Sequence, residues 1–211
     1  MLEKSIRSAA IPLFIFCFLF INGVMAQKGT PLSGTRRQEV MREITQNVSN
    51  VVSLRCHFVQ TRTSPMLSTS VESQGHMSYT RPSTLRWEYE SPYRQAIIVR
   101  GDSLITSQEG KKSSTSAKAM TRGLVKMMVG SLNGEKLFDE RLFTIDVYEE
   151  AQDYVAVMKP RRRDMQRLFR TITFTFAKKD SVVKSVTLSE REDTATTIRF
   201  DKYSIQQRGG R

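Results

Sequence analysis

The sequence predicts a mainly β domain with a few helices, built as a barrel or sandwich and not from alternating β–α units. Three observations carry that expectation. Between Ser73 and Asp102, two runs, Gly75-x-Met77-x-Tyr79 and Leu85-x-Trp87-x-Tyr89, place large apolar side chains at every second position with mostly polar residues between them, which is the period of a half-buried strand. Around ten such short runs recur at intervals of roughly 8 to 12 residues, separated by turn signals. Two stretches show apolar residues at helical steps instead.

Residues 1–26 have the layout of a secretory signal peptide. Lys4 and Arg7 precede an apolar run from Ala9 to Ile21, and Val24-Met25-Ala26 closes it with small or modest side chains. The run is too short for a stable transmembrane anchor. Cys17 lies inside it and not just after the cleavage point, where a lipid-anchored product needs its cysteine, so soluble export is expected. The mature chain then has 211 − 26 = 185 residues, 33 − 2 = 31 basic and 21 − 1 = 20 acidic side chains, and a formal charge of +11. Such a charge calls for an anionic partner. For an exported chain that partner is expected to be anionic lipid head groups and not nucleic acid. Cys56 is the one cysteine left, so no intrachain disulfide forms and the fold rests on its core. The length suits one domain with a substantial core, expected to be monomeric.

In order, residues 27–34 read as a linker, 35–206 as the domain, and 207–211 as a flexible tail. Thr35 and Gln38 have capping-box spacing, and Val40, Ile44, Val48 and Val51 recur at steps of three and four, which predicts a helix from about Arg36 to Ser53. Leu54, Cys56, Phe58 and Gln60 then alternate with Arg55, His57, Val59 and Thr61 as the first strand. Ser64 to Ser70 is a flexible connection to the two runs described above. Arg81-Pro82-Ser83 separates those runs and Ser91-Pro92 closes the second, because proline fixes φ and cannot donate to a ladder. Gln95–Val99 and Ser103–Thr106 form the next pair, joined across Arg100-Gly101-Asp102, a tight-turn signal.

Gly110 to Lys118 is polar and reads as an exposed loop. Met120, Leu124, Met127 and Met128 follow at helical spacing, with Gly130 placed to end that helix. The remainder is strand: Phe143, Ile145 and Val147; Val155 and Val157; Ile172, Phe174 and Phe176; Val182, Lys184, Val186 and Leu188; Ile198 and Phe200. Between two of these lies the basic segment Lys159 to Arg170, a loop with one helical turn, and its Arg161, Arg162, Arg163 and Arg167 are the expected anionic or partner contact.

Catalytic motifs are absent. The chain has no Gly-x-Ser-x-Gly elbow, no phosphate-binding glycine loop, and no carboxylate or His/Cys cluster at metal-ligand spacing, so neither an enzyme nor a cofactor is expected. His57 and His76 sit at positions opposite in parity to the neighbouring apolar set, which assigns them to a solvated face. Glu88 and Glu90 share that parity with Arg86, as on a salt-laced outer face.

Several segments together resemble the periplasmic lipoprotein carrier family (LolA-like). They are Phe58-Val59-Gln60, Ser73-x-Gly75, Arg81-Pro82 followed by Leu85-Arg86-Trp87-Glu88-Tyr89, then Pro92 and Ile97-Ile98-Val99-x-Gly101, and further on Pro160, the Ile172-Phe174-Phe176 strand and Thr197-Ile198-x-Phe200. The resemblance implies an incomplete, strongly curved antiparallel β-barrel, covered by a helical lid around an apolar cavity that holds the acyl chains of a lipoprotein. It implies a periplasmic shuttle whose partners are a lipoprotein-releasing ABC transporter of the inner membrane and an acceptor at the outer membrane. In that family the arginine of the Arg-Pro pair bonds backbone groups of the lid, a role that falls on Arg81. The apolar residue three places after the proline, Leu85 here and often Phe in the family, influences ligand retention. Met77, Tyr79, Leu85, Trp87 and Tyr89 are then the expected cavity wall, with Met120, Leu124 and Met127 facing them from a methionine-rich, adaptable helix. A regulator that senses lipid or misfolded protein through the same open barrel is the alternative.

Overall fold

The structure, a computed structural model, describes residues 29–101, 103–108, 111–113, 137–190 and 193–209. Strand β1 (Thr30–Leu32) leads into helix α1 (Gly34–Ser49). Six strands follow: β2 (Val51–Thr63), β3 (Val71–Thr80), β4 (Thr84–Ser91), β5 (Gln95–Arg100), β6 (Ser103–Gln108) and β7 (Lys111–Ser113). Beyond them come β8 (Phe143–Glu149), β9 (Asp153–Pro160), the one-turn helix α2 (Arg163–Gln166), β10 (Thr171–Ala177), β11 (Val183–Ser189) and β12 (Ala195–Gln207).

The twelve strands make one sheet in the order β1-β8-β9-β10-β11-β12-β2-β3-β4-β5-β6-β7, antiparallel throughout and not closed. Pairing of β12 with β2 joins the two halves of the chain at the middle of the sheet. This is the mainly β, open-barrel architecture that the strand pattern and the resemblance imply.

Alternation decides which side chains point inward. On β2 to β5, Cys56, Phe58, Met77, Tyr79, Leu85, Trp87 and Val99 are buried together with Ile198 of β12. On β8 to β10, Phe143, Ile145, Val147, Tyr154, Ala156, Met158, Ile172 and Phe176 are buried under Val40 and Ile44 of α1. The sheet therefore has two wings, and α1 covers the second of them. Gly75 is required where β3 meets β4. A Cβ there would lie 1.8 Å from the Glu88 carbonyl oxygen, at the point where the register shifts between Gln74 and Gly75.

Several expectations shift. α1 ends at Ser49 and not near Ser53, because Val51 to Leu54 are taken into the ladder with β12, where Gln207 pairs with Val51 and Ile205 with Leu54. Val51, the last member of the predicted helical stripe, is thus a strand residue. Ser33 and not Thr35 precedes the helix, and its side chain makes no capping bond. On β9 the buried set is Tyr154, Ala156 and Met158, while Val155 and Val157 face the other way. Register explains it: Met158 pairs with Ile145 and Ala156 with Val147, so these residues share the inward face. On β11 a register shift opposite Thr175 and Phe176 turns Val183 inward and leaves Lys184 outside, bonded to Asp153 at 2.8 Å. Lys111–Ser113, expected in a loop, adds a short edge strand to β6. Gly101, with φ +56, makes the expected tight turn between β5 and β6.

Candidate functional site: an apolar cavity between two wings

The cavity lies where the wings meet, between the C-terminal end of α1 and strands β10, β11, β12 and β2, and has a volume of about 180 Å³. Val48, Leu137, Ile172, Phe174, Val186 and Leu188 line one side, and Val51, Leu54, Cys56, Met77, Ile198 and Phe200 the other. Its polar lining, Asn47, Asp180, Ser181 and Gln207, comes from the last turn of α1, the β10–β11 connection and the end of β12. These elements meet at one end of the sheet, so the cavity has an apolar body and a polar mouth. Burial, with the Asp201 carboxylate adding to it, pushes the Cys56 thiol up to about 12. The side chain therefore stays protonated and acts as a small apolar group.

Helix α1 is strapped across this mouth from both sides. On one side, Arg81 donates from Nε to the Val51 carbonyl at 2.9 Å and from Nη2 to the Ser49 carbonyl, while its backbone N–H reaches the Val52 carbonyl at 2.9 Å. The last carbonyls of a helix have no partner within it and carry the negative end of its dipole. α1 has no basic residue in its own last turn, and Arg81 brings the cation from the β3–β4 connection. On the other side, Asn47 Nδ2 donates to Ser181 Oγ at 2.9 Å. Ser181 is 2% exposed and adopts φ 57, an unusual conformation for a residue with a side chain.

Of the expected cavity wall, Met77 lines the cavity. Tyr79, Leu85 and Trp87 are buried in the adjoining wing, with Tyr89 partly buried against them. Trp87 lies behind the lining: its ring centroid is 4.3 Å from that of Phe58 and 6.0 Å from that of Phe200. The indole Nε1 of Trp87 is buried without a hydrogen-bond acceptor among the described residues, whereas Tyr89 donates its hydroxyl to Gln60 Oε1 at 3.1 Å. Met120, Leu124 and Met127 lie outside the described residues.

Half of the lining comes from β10, β11 and β12, which the sequence shows as apolar alternations like any others. Nothing in their spelling distinguishes cavity from core, and Asn47 and Ser181 carry no sequence signal for the contact they make.

The basic segment divides. Arg161 is tied to the start of β8, donating from Nε to the Phe143 carbonyl at 3.1 Å and from its backbone to the Leu142 carbonyl at 2.8 Å. Arg162 pairs with Asp164 at 2.7 Å and holds that carboxyl below the usual range. Arg163 and Arg167 are exposed, on a segment anchored by the buried Phe169.

The site is thus an apolar cavity enclosed by an open antiparallel sheet, with the end of a helix held beside it by side-chain hydrogen bonds from two directions. The sequence matches the family described as outer membrane lipoprotein carrier protein LolA over residues 49–209. The chain belongs to that family.

An outer-membrane lipoprotein carrier protein of Methylobacillus flagellatus is 38% identical over 50 residues, a match that covers 24% of this chain and 24% of that relative's length. Among solved structures, an uncharacterized conserved protein of Thermus thermophilus superposes with a TM-score of 0.50 at 8% identity, over 82% of this chain and 88% of that one. The MucA/MucB complex of Pseudomonas aeruginosa gives 0.49 at 11% identity, over 83% of this chain and 59% of that one. A LolA superfamily protein of Nitrosomonas europaea gives 0.41 at 7% identity, over 79% and 94%. These are likenesses of fold.

Proposed function

We propose that this chain is a periplasmic carrier that holds the acyl chains of lipoproteins in its cavity and moves them from an ABC transporter of the inner membrane to an acceptor at the outer membrane. The observation that carries the reading is the apolar cavity whose cover is held by hydrogen bonds at its polar mouth. Three acyl chains contain roughly 45 methylenes at about 0.8 kcal/mol each, so crossing an aqueous compartment unshielded costs tens of kcal/mol. An apolar cavity supplies the missing solvent.

Release is the harder requirement. The cavity of about 180 Å³ is smaller than the roughly 300–1,000 Å³ of pockets for drug-sized ligands, so α1 and the sheet must part to admit an acyl chain. A closed empty state makes the binding-competent state a minor one and weakens apparent affinity by its population. Arg81 and the Asn47–Ser181 contact set that population from the two sides of the mouth. Met120, Leu124 and Met127 are proposed to complete the cover, and Met77 with the Leu85–Trp87–Tyr89 wing to form the yielding wall.

Native mass spectrometry of the gently purified mature protein tests the reading. Co-purified acyl chains or lipoprotein support it; outer-membrane lipoproteins that stay correctly placed after depletion of the protein refute the shuttle.

A second reading, a regulator that senses lipid or misfolded protein, draws on Arg163 and Arg167, which stay exposed for a partner. Capture of a membrane signalling protein that is lost on replacing both with Ala favours it.

A further inference from the structure

A row of four ionisable residues crosses the outer face of the sheet. By strand register Asp201 of β12 lies opposite His57 of β2, His57 opposite His76 of β3, and His76 opposite Glu88 of β4. His57 Nδ1 lies 2.8 Å from Asp201 Oδ1 and His76 Nδ1 lies 2.9 Å from Glu90 Oε1. A carboxylate only accepts, so each Nδ1 carries a proton, and in the neutral imidazole the lone pair then sits on Nε2. This is the tautomer of a metal-binding histidine, oriented by a carboxylate behind it.

The two Nδ1 atoms are drawn in opposite directions, toward β12 and toward β4. The two nitrogens of an imidazole face well over a right angle apart, so a carboxylate that holds Nδ1 on the far side of each ring leaves Nε2 available to the gap between β2 and β3. The ring centroids are 5.4 Å apart with planes inclined by 66°. Two imidazoles that each give one nitrogen to a tetrahedral ion with bonds of about 2.0–2.1 Å have centroids roughly 5 Å apart, a spacing that this pair matches. The His76 side chain is 56% exposed and that of His57 14%, which leaves the site open to solvent.

We propose that His57 and His76 bind a divalent late-transition ion, Zn²⁺ above all, through their Nε2 atoms, with Asp201 and Glu90 as positioning residues. Among the described residues no three His, Cys, Asp or Glu side chains converge on one point. The ion therefore takes two ligands from the chain and completes its shell with water, and imidazole donors select Zn²⁺, Ni²⁺ or Cu²⁺ over Mg²⁺ or Ca²⁺. Cys56 and Met77, which pair directly behind the histidines, line the cavity, so an ion cross-linking β2 to β3 stiffens the cavity wall from outside.

Calorimetric titration of the untagged mature protein with Zn²⁺ tests the site, beside His57→Asn, His76→Asn and Asp201→Asn. One ion per chain is expected, with affinity reduced at least about tenfold (about 1.4 kcal/mol) in either histidine variant and less in Asp201→Asn. Imidazole ¹⁵N spectra of the unaltered protein give a reading independent of how the variants fold: Zn²⁺ should shift the Nε2 resonances of His57 and His76. Absence of one-to-one binding, equal binding by the double histidine variant, or unmoved Nε2 resonances overturns the proposal. None of these outcomes bears on acyl-chain carriage.

Discussion

Asn47, in the last turn of α1, donates its side-chain amide to the hydroxyl of Ser181 at 2.9 Å and so joins the helix to the β10–β11 connection across the cavity mouth. Arg81 holds the same end of the helix from the β3–β4 connection. The helix end is bound to both wings of an open sheet, and the two contacts lead to separate predictions.

Ser181→Gly removes the hydroxyl and also relieves φ 57, which glycine adopts freely. The two effects oppose each other in stability, each about 1 kcal/mol. The melting midpoint should therefore stay close to that of the unaltered protein while uptake of a fluorescent acyl probe becomes faster. Unchanged uptake in stopped-flow measurements excludes the contact as a clasp.

Arg81→Leu leaves the Ser49 and Val51 carbonyls without their charged donor, weakening the closed empty state. The variant should purify with ligand bound, and its transfer to acceptor vesicles should fall by about tenfold, equivalent to about 1.4 kcal/mol in the closed-to-open balance. Normal transfer refutes a latch at this position.

Gly75→Ala places a methyl group against the Glu88 carbonyl. Backbone must move for it to fit, and overpacking of this kind costs about 1–3 kcal/mol. A lower midpoint in thermal circular dichroism is expected, with loss of the tryptophan fluorescence signature of the Phe58–Trp87 contact.

Cys56 has its thiol raised from 9.0 to about 12 by burial and by Asp201. Alkylation of Cys56 by iodoacetamide at pH 9 should be slower in the folded protein than in urea by far more than the difference in exposure. The folded thiol keeps its proton where the unfolded one loses it, so Cys56 contributes stability below pH 9 that is lost as pH rises toward 12. A melting midpoint followed from pH 8 to 11 should reflect that loss, and Cys56→Ala should reduce the slope.

Much of the fold is legible in the residues. The alternations around Phe58, Met77, Trp87 and Phe174 predict their strands and inward faces, since a period of two on a half-buried sheet leaves little choice. On β9 and β11 the pattern misleads, because Val155 and Val157 are apolar on the outer face and a bulge at Lys184 breaks the alternation. The site is legible in smaller part: Arg81 announces itself through the Arg-Pro spelling, and Met77 through its parity. Tyr79, Leu85 and Trp87 prove to pack in the wing behind the cavity lining, since a large apolar side chain looks the same in sequence whether it meets a core or a void.

By itself, then, the amino-acid sequence determines the strand-rich class, the family and the Arg81-Pro82 pair between two strands. Tertiary structure decides where the cavity lies, that Asn47 meets Ser181 over a separation of 134 residues, and that Asp201, His57, His76 and Glu88 stand in one row. The physical reason is the same in each case. Periodicity along a strand is set by local backbone geometry, whereas register between strands distant in sequence is set only when the whole sheet assembles and buries one of its faces.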